Sequence, residues 1–468
     1  MEDSEIPHVA ILPSPGMGHL IPLAELAKRL AHHYNFSLTF ITLTIGATSK
    51  TQNSILDTLP KTVKSIVIDP PPSVENIPED AKVETRICAN FNRSIQSIRN
   101  VLKNLASTTR LVAIIVDLFG MDALDVAAEV GVPTYIFYTS TCMALSFTLH
   151  LPTLDATYSC AYSDLAEPVK LPGCVPFHGE NVFEPALDRS NDAYTWLLKV
   201  CRSHKKAKGI LVNSFVDLEP ETVNALRREP GVPPLYPIGP VVQSSSAGGG
   251  DGLDCLRWLD EQPRGSVLYV CFGSGGTLSM EQLNELALGL EMSGQRFLWV
   301  ARGPHEKNAS ATFFSVQSNQ EPLGFLPKGF LSRTKGVGFV VPSWAPQIQV
   351  LGHGSTGGFL SHCGWNSTLE SIVHGVPMIA WPLYAEQKMN AVLLVEDLKV
   401  ALRPTAKVDG IVEKEEIARV VEDLMAGDEG KRLRTKMEDL KDASAKALAK
   451  DGSSKKALSE VAYEWGLM

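Results

Sequence analysis

HVAILPSPGMGHLIPLAELAKRL, residues 8–30, carries in one stretch a short apolar run, a glycine-bearing loop and a segment with apolar residues at helical spacing, the pattern of a strand, a loop and a helix. The same order returns at residues 266–290, where SVLYVCFGS is followed by GGT and, one turn further on, by MEQLNELALGL. Ser279 with Gln282 three residues later reads as a capping box that opens this second helix. Further apolar runs alternate with helical patterns, among them LTFITL (38–43), LVAIIVD (111–117), TYIFY (134–138), RFLWV (296–300), GGFLSH (357–362) and MIAWP (378–382). Such runs suit parallel strands covered by helices on both faces. The expected fold is α/β, with two doubly wound, Rossmann-like parallel-sheet domains.

A length of 468 residues allows two or three domains at about 150 residues each. Between Gly239 and Asp254 the chain reads GPVVQSSSAGGGDGLD, where Ser and Gly displace the apolar pattern and leave nothing to pack. The boundary is placed there, giving an amino-terminal domain over 1–245 and a carboxyl-terminal one over 246–457. GPHEKNASATFFSVQSNQEP (303–322) is polar and irregular and is expected to be a surface loop of the second domain.

Composition excludes several classes of function. Apolar residues at 44% and charged residues at 20% are those of a folded globular chain. Lys and Arg number 43 against 52 Asp and Glu, a net charge of −9, which lacks the basic footprint of a nucleic-acid binder. No two of the eight cysteines have the two-residue gap of a zinc or redox motif, so reduced thiols are expected. MEDSEIPHVA has three acids where a secretory signal would need a basic flank and an apolar run, and a cytoplasmic location is expected. Residues 130–154 contain no Asp, Glu, Lys or Arg, but prolines, a histidine and hydroxyls interrupt them. They read as a buried strand and a pocket-lining helix rather than a membrane span.

Open α/β sheets bind ligands outside the carboxyl ends of their strands, which directs attention to Ser14–His19 and Asp117. Gly16 and Gly18 match part of a dinucleotide fingerprint, yet Ile21 holds its third glycine position and SLTFITLT (37–44) ends without an acid for a ribose. A dehydrogenase is not indicated, and no Gly-x-Ser-x-Gly elbow marks a serine hydrolase. His19 lies where a helix begins, and the partial positive charge there favours the neutral, proton-accepting imidazole. Asp117, at the end of LVAIIVD, would fix its tautomer and stabilise the imidazolium if the two meet in space. The alternative is a helix-end histidine and a strand-end cap.

The richest segment is WAPQIQVLGHGSTGGFLSHCGWNSTLESIVHGVPMIAWPLYAEQ, residues 344–387. GGFLSH reads as a strand, and the loop after it delivers Gly364, Trp365, Asn366 and Ser367 to a helix start, where backbone N–H groups can hold an anionic diphosphate. His362 can add a hydrogen bond. Trp344 offers a flat face for a base, or half-buries as a core residue. Ser367 and Glu370 also have capping-box spacing, so helix capping competes with a binding role. Glu386 and Gln387 open a helix after MIAWP.

With SPGMGH at 14–19 and FGS at 272–274, this segment resembles the signature of the plant family 1 UDP-glycosyltransferases, and within them the hydroquinone (phenol), arbutin synthase-like glucosyltransferases. The resemblance spans essentially the whole chain. It implies the GT-B architecture, two Rossmann-like domains facing across a cleft, with residues 458–468 as a helix returning to the first domain. It also implies inverting transfer of glucose from UDP-glucose, with His19 as base and Asp117 as its partner. By resemblance, Trp344 stacks on uracil, Ala345 supplies backbone contacts, and Gln347 and Glu370 reach the ribose. Ser14, Ser274, His362 and the Gly364–Ser367 turn serve the diphosphate end, Glu386 and Gln387 the sugar, and Gly18 and Tyr384 also belong to the donor site. The acceptor is expected to be a small aromatic alcohol, a phenol, phenylpropanoid or indoxyl-like compound, lined by Glu84, Ile87, Phe119, Leu145 and Leu149. A solvent-facing helix start is the simpler account of Glu84. No Asp-x-Asp pair occurs in the chain, so no metal cofactor is expected, and a monomer is expected.

Overall fold

A computed structural model of the chain describes residues 6–44, 50–69, 77, 81–243, 253–305 and 323–467. Residues 244–252 of the expected linker and 306–322 of the expected surface loop lie outside the described residues. The chain divides into two compact units, Met1–Ser244 with Ser444–Met468, and Ser245–Ala443. The carboxyl-terminal segment joins the first unit from Ser444, earlier than the expected return near Leu458.

Among the described residues the first unit has seven strands: β1 (Pro7–Leu12), β2 (Ser37–Leu43), β3 (Val63–Ile68), β4 (Arg110–Val116), β5 (Thr134–Tyr138), β6 (Gly209–Val212) and β7 (Leu235–Pro237). They lie in the order β3-β2-β1-β4-β5-β6-β7, all parallel. Val9 and Ile11 of β1 pack with Leu20, Leu23, Leu26 and Leu30 of the helix Met17–His33 and with Val461 and Trp465 of the helix Ser453–Leu467. The intervening Ala10 and Leu12 are equally buried, so both faces of the sheet are covered, which is why the run is apolar without alternation. Trp465 meets Tyr135 edge-on at 5.2 Å and Phe36 at 5.9 Å. Removing such a buried indole costs about 3–5 kcal/mol, which gives the last helix its hold on this unit. The uncharged stretch forms β5 and the buried helix Cys142–Thr157, and among the described residues no helix is long and apolar enough to cross a membrane.

The second unit repeats the plan with six strands among the described residues: β8 (Val267–Cys271), β9 (Arg296–Ala301), β10 (Gly338–Pro342), β11 (Thr356–Ser361), β12 (Met378–Ala380) and β13 (Ala401–Leu402). Their order is β10-β9-β8-β11-β12-β13, again parallel throughout. Ser279 caps the helix Met280–Met292 by accepting the Gln282 N–H at 3.2 Å. The reciprocal half of the expected capping box is absent. Gln282 instead exchanges two hydrogen bonds of 2.9 Å with the backbone of Val412, tying this helix to a segment 130 positions away.

The shared topology places the functional loops. In each unit the chain winds one way from the first strand and the other way from the fourth, so the crevice outside the carboxyl ends of these neighbours is the topological switch point. Leu12 pairs with Val116 there in the first unit, and Cys271 with Ser361 in the second.

Candidate active site

In the first unit the switch point brings Asp117, the residue after β4, against the loop that follows β1. Asp117 is wholly buried. Its Oδ2 accepts the Ser14 N–H at 2.6 Å, and its Oδ1 accepts the Ser14 hydroxyl and the Phe119 N–H, the latter at 3.1 Å. His19 stands in the first turn of the helix Met17–His33, and its Nδ1 lies 3.1 Å from Oδ2. The imidazole remains 14% exposed, so the ring joins a buried carboxylate to the surface. Gly16, with φ of 123°, makes the turn that starts this helix, a backbone state open to glycine. Gly18 is exposed, and a Cβ there would meet nothing within 4 Å. Ser14, expected on the donor side, has its hydroxyl turned onto Asp117.

Phe119, expected to line the acceptor, stands beside His19, edge-on with ring centroids 5.5 Å apart. Ile87, Leu145 and Leu149 are buried among core side chains. Glu84 sits in the first turn of the helix Val83–Thr108 and is buried, not solvent-facing as its sequence position suggested.

In the second unit the loops after β8 and β11 meet. A Cβ on Gly273 would lie 2.3 Å from His362 Nε2, and one on Gly364 2.4 Å from the same atom, so the imidazole occupies a slot that two glycines leave open. Burial and then the nearby Arg302 charge hold the His362 pKa down to about 3, and the ring is neutral at physiological pH. The helix Trp365–His374 starts at Trp365 with Gly364 as its N-cap and no side-chain cap. Its first intrahelical bond is Thr368 N–H to Gly364 C=O at 3.0 Å, so the amides of Trp365, Asn366 and Ser367 precede the ladder, as anion-holding amides do. Ser367 and Glu370 therefore lie inside the helix, and the capping-box alternative is overturned.

Gln347 Nε2 instead gathers these two residues, donating to Ser367 Oγ at 3.0 Å and to Glu370 Oε2 at 2.7 Å. Burial raises the Glu370 pKa to about 7 against the lowering hydrogen bond from Gln347. Trp344 is 47% exposed, while Ala345 beside it is buried. Ser274 is exposed after β8. Gln387 is buried and its Oε1 accepts the N–H groups of Leu383 and Tyr384 at 2.9 and 3.0 Å, leaving its amide N–H groups as the donors open to a sugar. Glu386 Oε1 accepts from Asn390 Nδ2 at 3.2 Å, and the same nitrogen donates to Cys363 C=O at 3.0 Å.

Ser343, Cys363 and Ala385 hold left-handed backbone, with φ of 64°, 62° and 55°, immediately before Trp344, Gly364 and Glu386. Each such non-glycine residue costs about 1–3 kcal/mol and persists where its surroundings over-determine it. Sequence reasoning missed Arg302 and Asn390. Arg302 directly follows β9, so the strand-end rule that selected Asp117 also points to it. Among the described residues, no three His, Cys, Asp or Glu side chains are grouped as metal ligands would be.

A switch-point crevice on each of two parallel sheets, one with a carboxylate beside a histidine and the other with a helix start whose first amides precede the ladder, suits a GT-B nucleotide-sugar enzyme. Residues 249–427 match the family described as UDP-glucoronosyl and UDP-glucosyl transferase. The chain is 56% identical over 460 residues to the hydroquinone glucosyltransferase of Rauvolfia serpentina, covering 98% of each. UGT2 of Phytolacca americana, whose structure holds UDP-2-fluoroglucose and pterostilbene, superposes with a TM-score of 0.90 at 52% identity, over 98% of this chain and 99% of that one. A UDP-glucosyltransferase from Polygonum tinctorium capable of glucosylating indoxyl, in complex with 3,4-dichloroaniline, gives 0.91 at 51% identity over 99% of both chains. The chain belongs to the UDP-glycosyltransferase family, and it is an enzyme.

Proposed function

We propose that this enzyme transfers glucose from UDP-glucose to the hydroxyl of a small aromatic acceptor with inversion, giving a β-glucoside. The observation that carries the mechanism is the wholly buried Asp117 carboxylate 3.1 Å from His19 Nδ1. With the proton on Nδ1 facing the carboxylate, Nε2 is the base. It takes the acceptor proton as the oxygen attacks the anomeric carbon. The new C–O bond forms on one face of the sugar, the bond to UDP breaks on the other, and the electron pair leaves with the diphosphate. Asp117 stabilises the imidazolium, and Ser14 and Phe119 hold Asp117 in place.

Uracil stacks on Trp344 and the ribose meets Gln347 and Glu370. The amides of Trp365, Asn366 and Ser367, with His362 and Ser274, meet the diphosphate charge, and Tyr384, Glu386 and Gln387 take the sugar hydroxyls. Phenols, stilbenes and indoxyl-like compounds are the acceptor class, supported by the acceptors of the similar enzymes and by Phe119 at the base. The reaction needs no metal. The enzyme works as a monomer in the cytoplasm, the latter setting supported by its eight free thiols.

The test is a panel of phenols, indoles and flavonoids incubated with UDP-glucose, with and without chelator, and read by mass spectrometry and the anomeric proton coupling. A β-glucoside formed equally well in chelator is expected. An α-anomer, or activity abolished by chelator and restored by magnesium, would overturn the corresponding part of the proposal.

A further inference from the structure

Arg302 spans two loops of the second unit. Its Nη1 donates to the carbonyl oxygen of Gly273 and its Nη2 to that of Ser343, the latter at 2.9 Å. Both acceptor residues have left-handed backbone, φ 73° and 64°, and they immediately precede Ser274 and Trp344. The Ser343 peptide is held from both sides by the end of β9, since its N–H donates to Ala301 C=O at 3.0 Å while its C=O accepts from Arg302. Trp344 N–H then closes a tight turn onto Pro342 C=O at 2.7 Å. Nearly half of the indole is exposed, so its own packing does little to orient it.

We infer that Arg302 is a positioning residue for the nucleotide-sugar. By locking the two left-handed turns it sets the plane of Trp344 and the place of Ser274, and through Gly273 it sets one wall of the His362 slot. This rests on the reading of Trp344 as the uracil platform. A planar guanidinium with donors on two arms meets both carbonyls at once, whereas the single ammonium of lysine keeps the charge and loses the fork.

The test is calorimetric titration of the full-length enzyme with UDP, for wild type, Arg302→Lys, Trp344→Ala and the double variant, with folding checked by circular dichroism. Arg302→Lys is expected to weaken UDP about tenfold, the scale of one charge-assisted hydrogen bond, and to raise the UDP-glucose KM more than it lowers kcat. In the Trp344→Ala background the same change should cost about threefold or less, because the ring it orients is gone. Wild-type UDP affinity in Arg302→Lys, or single losses that multiply in the double variant, would overturn the inference alone. Unchanged UDP affinity in Trp344→Ala would overturn the uracil-platform reading and this inference with it. Arg302→Ala titrated with methylguanidine provides a second route. Return of UDP affinity with methylguanidine and not with methylammonium supports the fork, and no return opposes it.

Discussion

Replacing Asp117 with Asn tests the proposed catalytic pair most directly, because the side chain keeps its shape while the charge goes. The carboxylate takes three donors, Ser14 N–H on one oxygen and Ser14 O–H and Phe119 N–H on the other, and His19 Nδ1 stands 3.1 Å from the first oxygen. An amide has a single acceptor oxygen. If its NH2 faces His19, the imidazole must present an acceptor at Nδ1 and carry its proton on Nε2, and the base is lost. If the NH2 faces the Ser14 hydroxyl, the hydroxyl can turn to accept, the tautomer survives, and the Phe119 N–H is left against a donor. Even in this milder arrangement the imidazolium loses its counter-charge. Nearest atoms 3.1 Å apart put the charge centres about 4 Å apart, where two unit charges attract by about 4 kcal/mol at an effective dielectric of about 20. The transition state, in which His19 becomes cationic, should therefore rise by that amount, a loss of about 10³-fold in kcat. The wrong tautomer would deepen it toward the ~10⁴-fold known for the matching change in a Ser-His-Asp triad. The assay is kcat with a neutral phenol at saturating UDP-glucose, alongside UDP affinity, which should stay at the wild-type value. A folded variant within tenfold of wild-type turnover would refute the pairing.

His19→Ala should lose about 10²- to 10⁴-fold with ordinary phenols and far less with a phenol already ionised at the assay pH. An equal fractional loss across phenols of falling pKa would remove the base assignment. Trp344→Ala should raise the UDP-glucose KM more than it lowers kcat, since stacking is made equally in ground and transition states; an unchanged KM would leave the indole a surface residue. Glu370 adds a pH dependence to stability. Its folded pKa, about 7, lies above the ordinary 4.5, so the folded state keeps a proton that the unfolded chain has released, and stability falls as pH rises from about 4.5 to about 7. The full change is of order 3 kcal/mol at 1.36 kcal/mol per unit. His8, His204 and His362, with pKa values lowered by burial, act oppositely in the acid part of that window, so the readout is the difference between Glu370→Gln and wild type in denaturant melts. A difference that stays flat from pH 4.5 to 7 would show that folding does not raise the Glu370 pKa.

How much could be read without the fold follows from where each interaction's partners lie along the chain. Strand, loop and helix over residues 8–30 and the Ser279 cap arise from contacts within a few residues, and periodicity and capping chemistry report those directly. The proposed donor residues in 344–387 were likewise legible, because they follow three strands close in sequence, β10, β11 and β12. The same local rules failed where the deciding partner was distant. Gln282 has capping-box spacing and bonds instead to Val412, 130 positions on. Ser367 and Glu370 have that spacing too, but the helix begins at Trp365, and Gln347 claims both side chains. Arg302 finds its partners 29 and 41 positions away, and Ser14 is 103 positions from the carboxylate that holds it. These approaches are produced by the order of the strands, in which β1 neighbours β4 and β8 neighbours β11. A one-dimensional pattern marks a strand end as a place where a ligand can bind. Which two strand ends become neighbours, and so which acid backs which histidine, is decided when the sheet assembles, because parallel neighbours are joined through helical crossovers rather than by local turns.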